Sequence, residues 1–201
     1  EMSASLVGSE MCIRDSNNCD TANGIINTYS FTFLCYNNSV LYGNAAIYSP
    51  MEVKGRSKIS GCTFNNDISC TTNSEITGGT FLDRTYIHNS AVISGGTFNQ
   101  EVKVFDSGVI TGGYFSKAIS AYNEKFIRGG YFKTKPDDSY IADGYIVTAS
   151  GDTNYPYRVV MPHTCDGVTY DKPLDSSFTG GTLASGNYYL TEDITLTNYI
   201  K

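Results

Sequence analysis

The chain has no tryptophan, two histidines and five prolines, and charged side chains make up 17% of its 201 residues. His88 and His163 are the only imidazoles, the second in a linker-like stretch after Pro162, so no Ser-His-Asp triad can be assembled. A P-loop, a dinucleotide fingerprint, a Gly-x-Ser-x-Gly elbow and a His-Glu-x-x-His motif are all missing. No run of about 18 apolar residues occurs, so no membrane-spanning helix is expected. Positive charge is scarce: 14 Lys and Arg against 20 Asp and Glu leave a net charge of −6 and a pI near 4.8. That balance argues against nucleic acid or an anionic membrane as partner. The six cysteines include no C-x-x-C pair, and His163-x-Cys165 offers too few ligands for zinc, so no metal site is expected. Nothing in the sequence calls for a cofactor.

What the chain does have is glycine, tyrosine and a repeat. Ile59-Ser-Gly-Cys-Thr-Phe64, Ile76-Thr-Gly-Gly-Thr-Phe81, Ile93-Ser-Gly-Gly-Thr-Phe98, Ile110-Thr-Gly-Gly-Tyr-Phe115 and Ile127-Arg-Gly-Gly-Tyr-Phe132 follow one another every 17 residues. A strict period with β-branched residues, paired glycines and no helical pattern predicts an all-β solenoid, one coil per repeat. Seventeen residues at about 3.3 Å each trace at most roughly 56 Å, enough for two or three short strands and tight bends. The Ile and Phe columns are the predicted inward stacks. Gly61 keeps its place although Cys62 replaces the second glycine, so only one of the two positions is expected to demand glycine.

Beyond each Phe, the pairs Ile68 and Cys70, Thr85 and Ile87, Val102 and Val104, and Ile119 and Ala121 alternate as a second, half-buried strand. Thr72, Asn89, Asp106 and Asn123 then recur as a turn column, where stacked side chains are expected to bond as a ladder. Upstream the pattern decays. Tyr42-Gly-Asn-Ala-Ala-Ile47 falls one period before Ile59, and Asn23-Gly-Ile-Ile26 with Phe31 and Phe33 is a candidate earlier coil. Downstream, Asp137-Asp-Ser-Tyr-Ile-Ala-Asp-Gly-Tyr-Ile-Val147 breaks the rhythm and, with Asp152-Thr-Asn-Tyr-Pro-Tyr-Arg-Val-Val160 after a Gly151-Asp152 turn, predicts a hairpin covering the last coil.

Each candidate chemistry has an ordinary alternative. Asp67, Asp83 and Glu101 fall near one edge on neighbouring coils, as paired acid and base work requires, but their columns also hold Asn66, Gln100, Arg84 and Lys117, as solvated turns do. Asp137, Asp138 and Asp152 are candidate Ca²⁺ ligands, though the Gly-Gly-x-Gly-x-Asp pattern is missing and surface turns explain them equally. Cys19 and Cys35 lie near one coil length apart, and Cys62 and Cys70 flank one bend; disulfides and plain burial both remain open. The strongest lead is aromatic. Thr63, Thr80, Thr97, Tyr114 and Tyr131 share one position, and Thr71, His88, Phe105 and Tyr122 another. If these columns face outward, their rings are expected to form a flat stripe able to stack on sugars or a protein partner.

The tandem Ile-Ser/Thr-Gly-Gly-Thr/Tyr-Phe phrases, with Tyr140-Ile-Ala-Asp-Gly-Tyr145 and Gly186-Asn-Tyr-Tyr-Leu-Thr-Glu-Asp-Ile-Thr-Leu196, resemble the repeats of large bacterial secreted or cell-surface β-helix proteins. The resemblance covers roughly residues 40 to 200 and implies a parallel, right-handed β-helix in an extracellular or cell-surface protein. Separately, Ser5-Leu-Val-Gly-Ser-Glu-Met-Cys-Ile-Arg-Asp-Ser16 resembles a translated sequencing-library adapter, so residues 1–16 are expected to be a non-native scar. The expected organisation is a solenoid over 17–135, a capping hairpin over 136–160, and a linker with the cut start of a second β-rich module over 161–201. The function expected is non-catalytic, structural and adhesive, with Tyr114, Tyr131, His88, Phe105 and Tyr122 as candidate ligand-binding residues and glycans or host and cell-surface proteins as partners. The competing expectation is a scaffold or accessory part of a β-helix polysaccharide lyase or glycoside hydrolase. Fold alone does not choose between them.

Overall fold

A computed structural model describes residues 11–13, 19–21, 25–26, 32–36, 38–165, 168–170, 172–174, 178, 180, 182–183 and 186–190. These form a β-solenoid of about six turns. Seven strands make one wall, in the order Met11–Ile13, Phe33–Cys35, Met51–Val53, Ile68–Cys70, Thr85–Ile87, Val102–Val104 and Ile119–Ala121, all parallel. The second wall carries the repeated phrases and pairs each with the next in strict 17-residue register: Ile76 with Ile93 and Ile110, and Phe81 with Phe98 and Phe115. Residues 11–13, inside the adapter-like stretch, occupy the outermost strand of the first wall.

The walls hold because each coil completes its neighbour's core. Leu41, Ile59, Ile76, Ile93, Ile110 and Ile127 form one fully buried column. Ile47, Phe64, Phe81, Phe98, Phe115 and Phe132 form the other, the successive phenylalanine rings stacked with centroids 4.6–4.9 Å apart. From the opposite wall, Ile68, Thr85 and Val102 and then Val53, Cys70, Ile87 and Val104 point inward. Burial of this kind stabilises by about 1.5–3 kcal/mol per large apolar side chain, and no single coil can achieve it alone.

The glycine pair has two separate causes. A Cβ on Gly95 would sit 2.2 Å from the Thr77 carbonyl oxygen of the preceding coil, so close backbone approach requires glycine there. Gly96 instead has φ +100°, and the equivalent Cys62 adopts φ 68° with its side chain buried. The second position thus asks for a left-handed backbone, which a small side chain can accept at a cost.

Three local expectations are corrected. Leu41, not Tyr42, lies opposite Ile59, while Ile47 keeps the 17-residue register with Phe64; the extra residue is taken up around Gly43, at φ 104°. At the turn column the rungs that form among the described residues are made by the backbone, Arg56 N donating to the Thr72 oxygen and Asn73 N to the Asn89 oxygen, and by Ser90 and Ser107 hydroxyls 2.8 Å apart. Left-handed φ values at Thr72, Asn73, Asn89, Ser90 and Asp106 explain why short polar residues recur there. Finally, Cys19 and Cys35 lie on strands of different walls, not at one position of adjacent coils.

The last full coil is followed by a shorter return. Ile127 bridges Ile141 after 14 residues, and the Phe126 ring packs on Tyr140. The hairpin Ile146–Ala149 and Tyr157–Val160 then pairs antiparallel against Gly130–Phe132, ending the larger sheet. Further along, Lys172–Leu174 pairs parallel with Tyr188–Leu190.

Candidate functional site

Outward positions alternate with the buried columns along every strand, so the functional surface repeats with the coil. One outward column carries Thr63, Thr80, Thr97, Tyr114 and Tyr131 in register, and antiparallel pairing continues it into the hairpin at Arg158 and Thr148. Tyr114 is 40% exposed, and its ring lies 4.9 Å from that of Tyr131 at 13°. On the other wall His88 and Phe105 stack at 4.4 Å and 7°, and Phe105 and Tyr122 at 5.3 Å and 25°. Tyr122 is the most exposed large hydrophobic side chain among the described residues, at 87%. The sequence therefore placed all five candidate residues in two outward columns, and the columns stand on different walls.

The expected flat stripe is corrected by the ring geometry. Parallel rings with centroids 4.9 Å apart are too close to lie side by side in one plane, so they overlap face to face. Stacking covers the facing sides of neighbouring rings, and an outer face is left only to the rings that end each stack. The coil spacing, about 4.8 Å, imposes this on any aromatic repeated at one position. Tyr122 ends its stack and, at 87% exposure, keeps its outer face open.

Tyr155 was not visible as a site residue in the sequence. The hairpin turn brings it onto Tyr114, ring centroids 5.2 Å apart at 66°, and its hydroxyl shares a 3.2 Å hydrogen bond with Ser116. The Ser116 hydroxyl also donates to Asn99 Oδ1 at 3.5 Å. The Asp152 carboxylate fixes the turn by accepting from the backbone N–H groups of Asn154 at 2.7 Å and Tyr155 at 3.3 Å.

The acidic candidates are engaged elsewhere. Asp67 and Glu101 share a column, but Arg84 stands between them, its positive charge reinforced by a hydrogen bond to Tyr86 and by Asp67. Glu101 accepts from Ser120 at 2.8 Å and pairs with Lys103 at 3.4 Å. Asp83 accepts from the Arg84 backbone N–H at 2.9 Å. Arg84 and Lys103 alternate with these half-buried carboxylates, the mixed charge of an ordinary surface turn.

Of the calcium candidates, Asp137 accepts from the Ser139 N–H and hydroxyl, bonds that hold its carboxyl below the usual range, while Asp138 pairs with Lys135 at 2.9 Å. Among the described residues no three His, Cys, Asp or Glu side chains converge as a metal site. Cys35, Cys62 and Cys70 are buried, and burial pushes the Cys70 thiol far above its ordinary range. The side chains of His163 and Cys165 lie outside the described residues. No helix among the described residues is long and apolar enough to cross a membrane.

A feature with no sequence signal beyond Ser/Thr preference is a second hydroxyl ladder. Thr77, Ser94 and Thr111 donate to the carbonyls of Ile59, Ile76 and Ile93 at 3.0, 3.3 and 3.2 Å, tying each coil to the one before. Comparison with protein-family models, characterised proteins and solved structures finds no match to this chain.

Proposed function

We propose that this chain is a non-catalytic, structural and adhesive segment of an extracellular bacterial surface protein, and that it meets carbohydrate through its outward aromatic columns. The observation that carries the proposal is the pair of ring columns on a stiff ladder, Tyr114 with Tyr131 and His88 with Phe105 and Tyr122. Continuous backbone pairing and a dry stacked core give the rigidity a spacer needs, and rings fixed at coil spacing lose little freedom on binding. The extracellular setting rests on the resemblance of the Gly-Gly-Thr/Tyr-Phe repeats. The intervening Arg84 and the engaged Glu101 favour binding over turnover.

The test is a glycan array and polysaccharide pull-down on the full chain, with reducing-end and unsaturated-uronate release assayed in parallel. Binding without release, lost in Tyr122→Ala or in the Tyr114→Ala, Tyr131→Ala double variant, supports the reading. Release of product by the purified chain overturns it in favour of a lyase or hydrolase part. Silence on every glycan leaves a spacer without its own ligand.

A further inference from the structure

We infer that Tyr155, delivered by the capping hairpin, turns the Tyr114–Tyr131 column into a corner-shaped site for one pyranose ring of a polysaccharide. The inference rests on the carbohydrate reading above and selects, of the two columns, the one at the hairpin.

The Tyr114 and Tyr131 rings cover each other's facing sides, so the column alone offers a sugar a single outer face at each end and no second wall beside it. Tyr155 changes this. Its ring stands at 66° to Tyr114 and breaks the parallel stack, so the two walls of an aromatic corner face different directions. The Tyr155 hydroxyl is tied to Ser116, and Ser116 to Asn99, which places a hydroxyl and a carboxamide at the foot of the corner. Lys133 continues the Asn99 and Ser116 column: Ser116 N donates to the Phe98 oxygen and Lys133 N to the Phe115 oxygen, one coil apart. It shares the outward face with Tyr131, because Phe132 between them is buried. Lys133 is exposed and makes no ion pair among the described residues, unlike Lys135, which holds Asp138.

A pyranose has that same division, an apolar C–H face and a rim of hydroxyls. Ring against ring satisfies the first, and Ser116, Asn99 and the Lys133 ammonium satisfy the second. A protein partner would need a contiguous apolar centre, and the residues beside the tyrosines are serine, asparagine, threonine, lysine and arginine, the last being Arg158 opposite Tyr131. The same pyranose chemistry occurs in neutral and in uronate polymers, and Lys133 discriminates between them.

The experiment titrates the full chain by calorimetry with a β-1,4-linked glucose hexasaccharide and an α-1,4-linked galacturonate hexasaccharide. Binding of either one, weakened about tenfold by Tyr155→Ala and largely kept by Tyr155→Phe, is the expected result. Near-native circular dichroism and melting of Tyr155→Ala exclude loss of the hairpin as the cause. A further loss in Lys133→Ala with strong salt dependence identifies the uronate source, and its absence the neutral one. Undiminished affinity in Tyr155→Ala overturns the inference while leaving the carbohydrate reading in place. Binding of neither hexasaccharide overturns the inference as well, and the array result then decides the wider reading by itself.

Discussion

The rings of Phe81 and Phe98 lie 8° from parallel with centroids 4.6 Å apart, the closest step in a five-ring stack that runs up the core. Both are essentially without exposed surface. Because the ring above and the ring below are held by the backbone ladder, neither can collapse into a gap left between them. Phe98→Ala is therefore expected to cost about 3–5 kcal/mol, at the upper end for core truncations. Urea unfolding monitored by tyrosine fluorescence measures it. A loss below about 1 kcal/mol would show that the stack relaxes along its axis.

The two glycines of the repeat should respond differently to a methyl group. In Gly95→Ala the new carbon meets the Thr77 carbonyl oxygen at 2.2 Å, backbone against backbone, so a coil must shift and the cost is expected to reach about 3 kcal/mol or more. In Gly96→Ala the nearest atom is a ring carbon of Phe81 at 3.1 Å, and the left-handed φ adds roughly 1–2 kcal/mol. Comparing the two melting temperatures checks the order; a larger loss for Gly96→Ala would reverse the assignment of their roles.

How much of this was legible in the sequence depends on what repeats. The Ile and Phe columns, the second strand and the hairpin were readable, because a 17-residue period translates directly into stacking and a period of two into burial. The register upstream of Ile59 was not, since one added residue around Gly43 moves Leu41 into the column and leaves Ile47 where it was. The candidate rings were readable as positions, but their orientation was not. Stacking at coil spacing decides which faces remain open, and sequence has no direct signal for it. Tyr155 stayed hidden because it belongs to no repeat; it reaches Tyr114 through a turn fixed by Asp152.

Thr85 occupies a column otherwise filled by Met51, Ile68, Val102 and Ile119. Its hydroxyl is buried and has no hydrogen-bond partner among the described residues. Thr85→Val keeps the shape and removes the desolvated hydroxyl, so it is expected to raise stability by about 1–3 kcal/mol. Denaturant midpoints at constant slope measure the gain. A loss of stability in this variant would show that the hydroxyl is satisfied in solution.

The acid limb of stability should carry a trace of Glu75. Lys58 donates to it at 2.8 Å and Ser94 at 2.8 Å, and these bonds, led by that of Lys58, hold the carboxyl below its ordinary 4.5 despite some opposing burial. A carboxyl whose folded pKa is depressed binds its proton more readily when unfolded. Its contribution is thus complete above about pH 4.5 and fades as pH falls through the depressed folded value. The pair is partly open to water, Lys58 more than Glu75, so screening limits the effect to about 0.2–1 kcal/mol. Glu75→Gln should lower stability slightly at pH 7 and flatten the fall between the ordinary and the depressed value, and the difference should shrink in molar salt. Parallel urea titrations of parent and variant from pH 7 down to pH 3 test this; curves that stay a constant distance apart through the acid range would mean that the Lys58 contact does not form in solution.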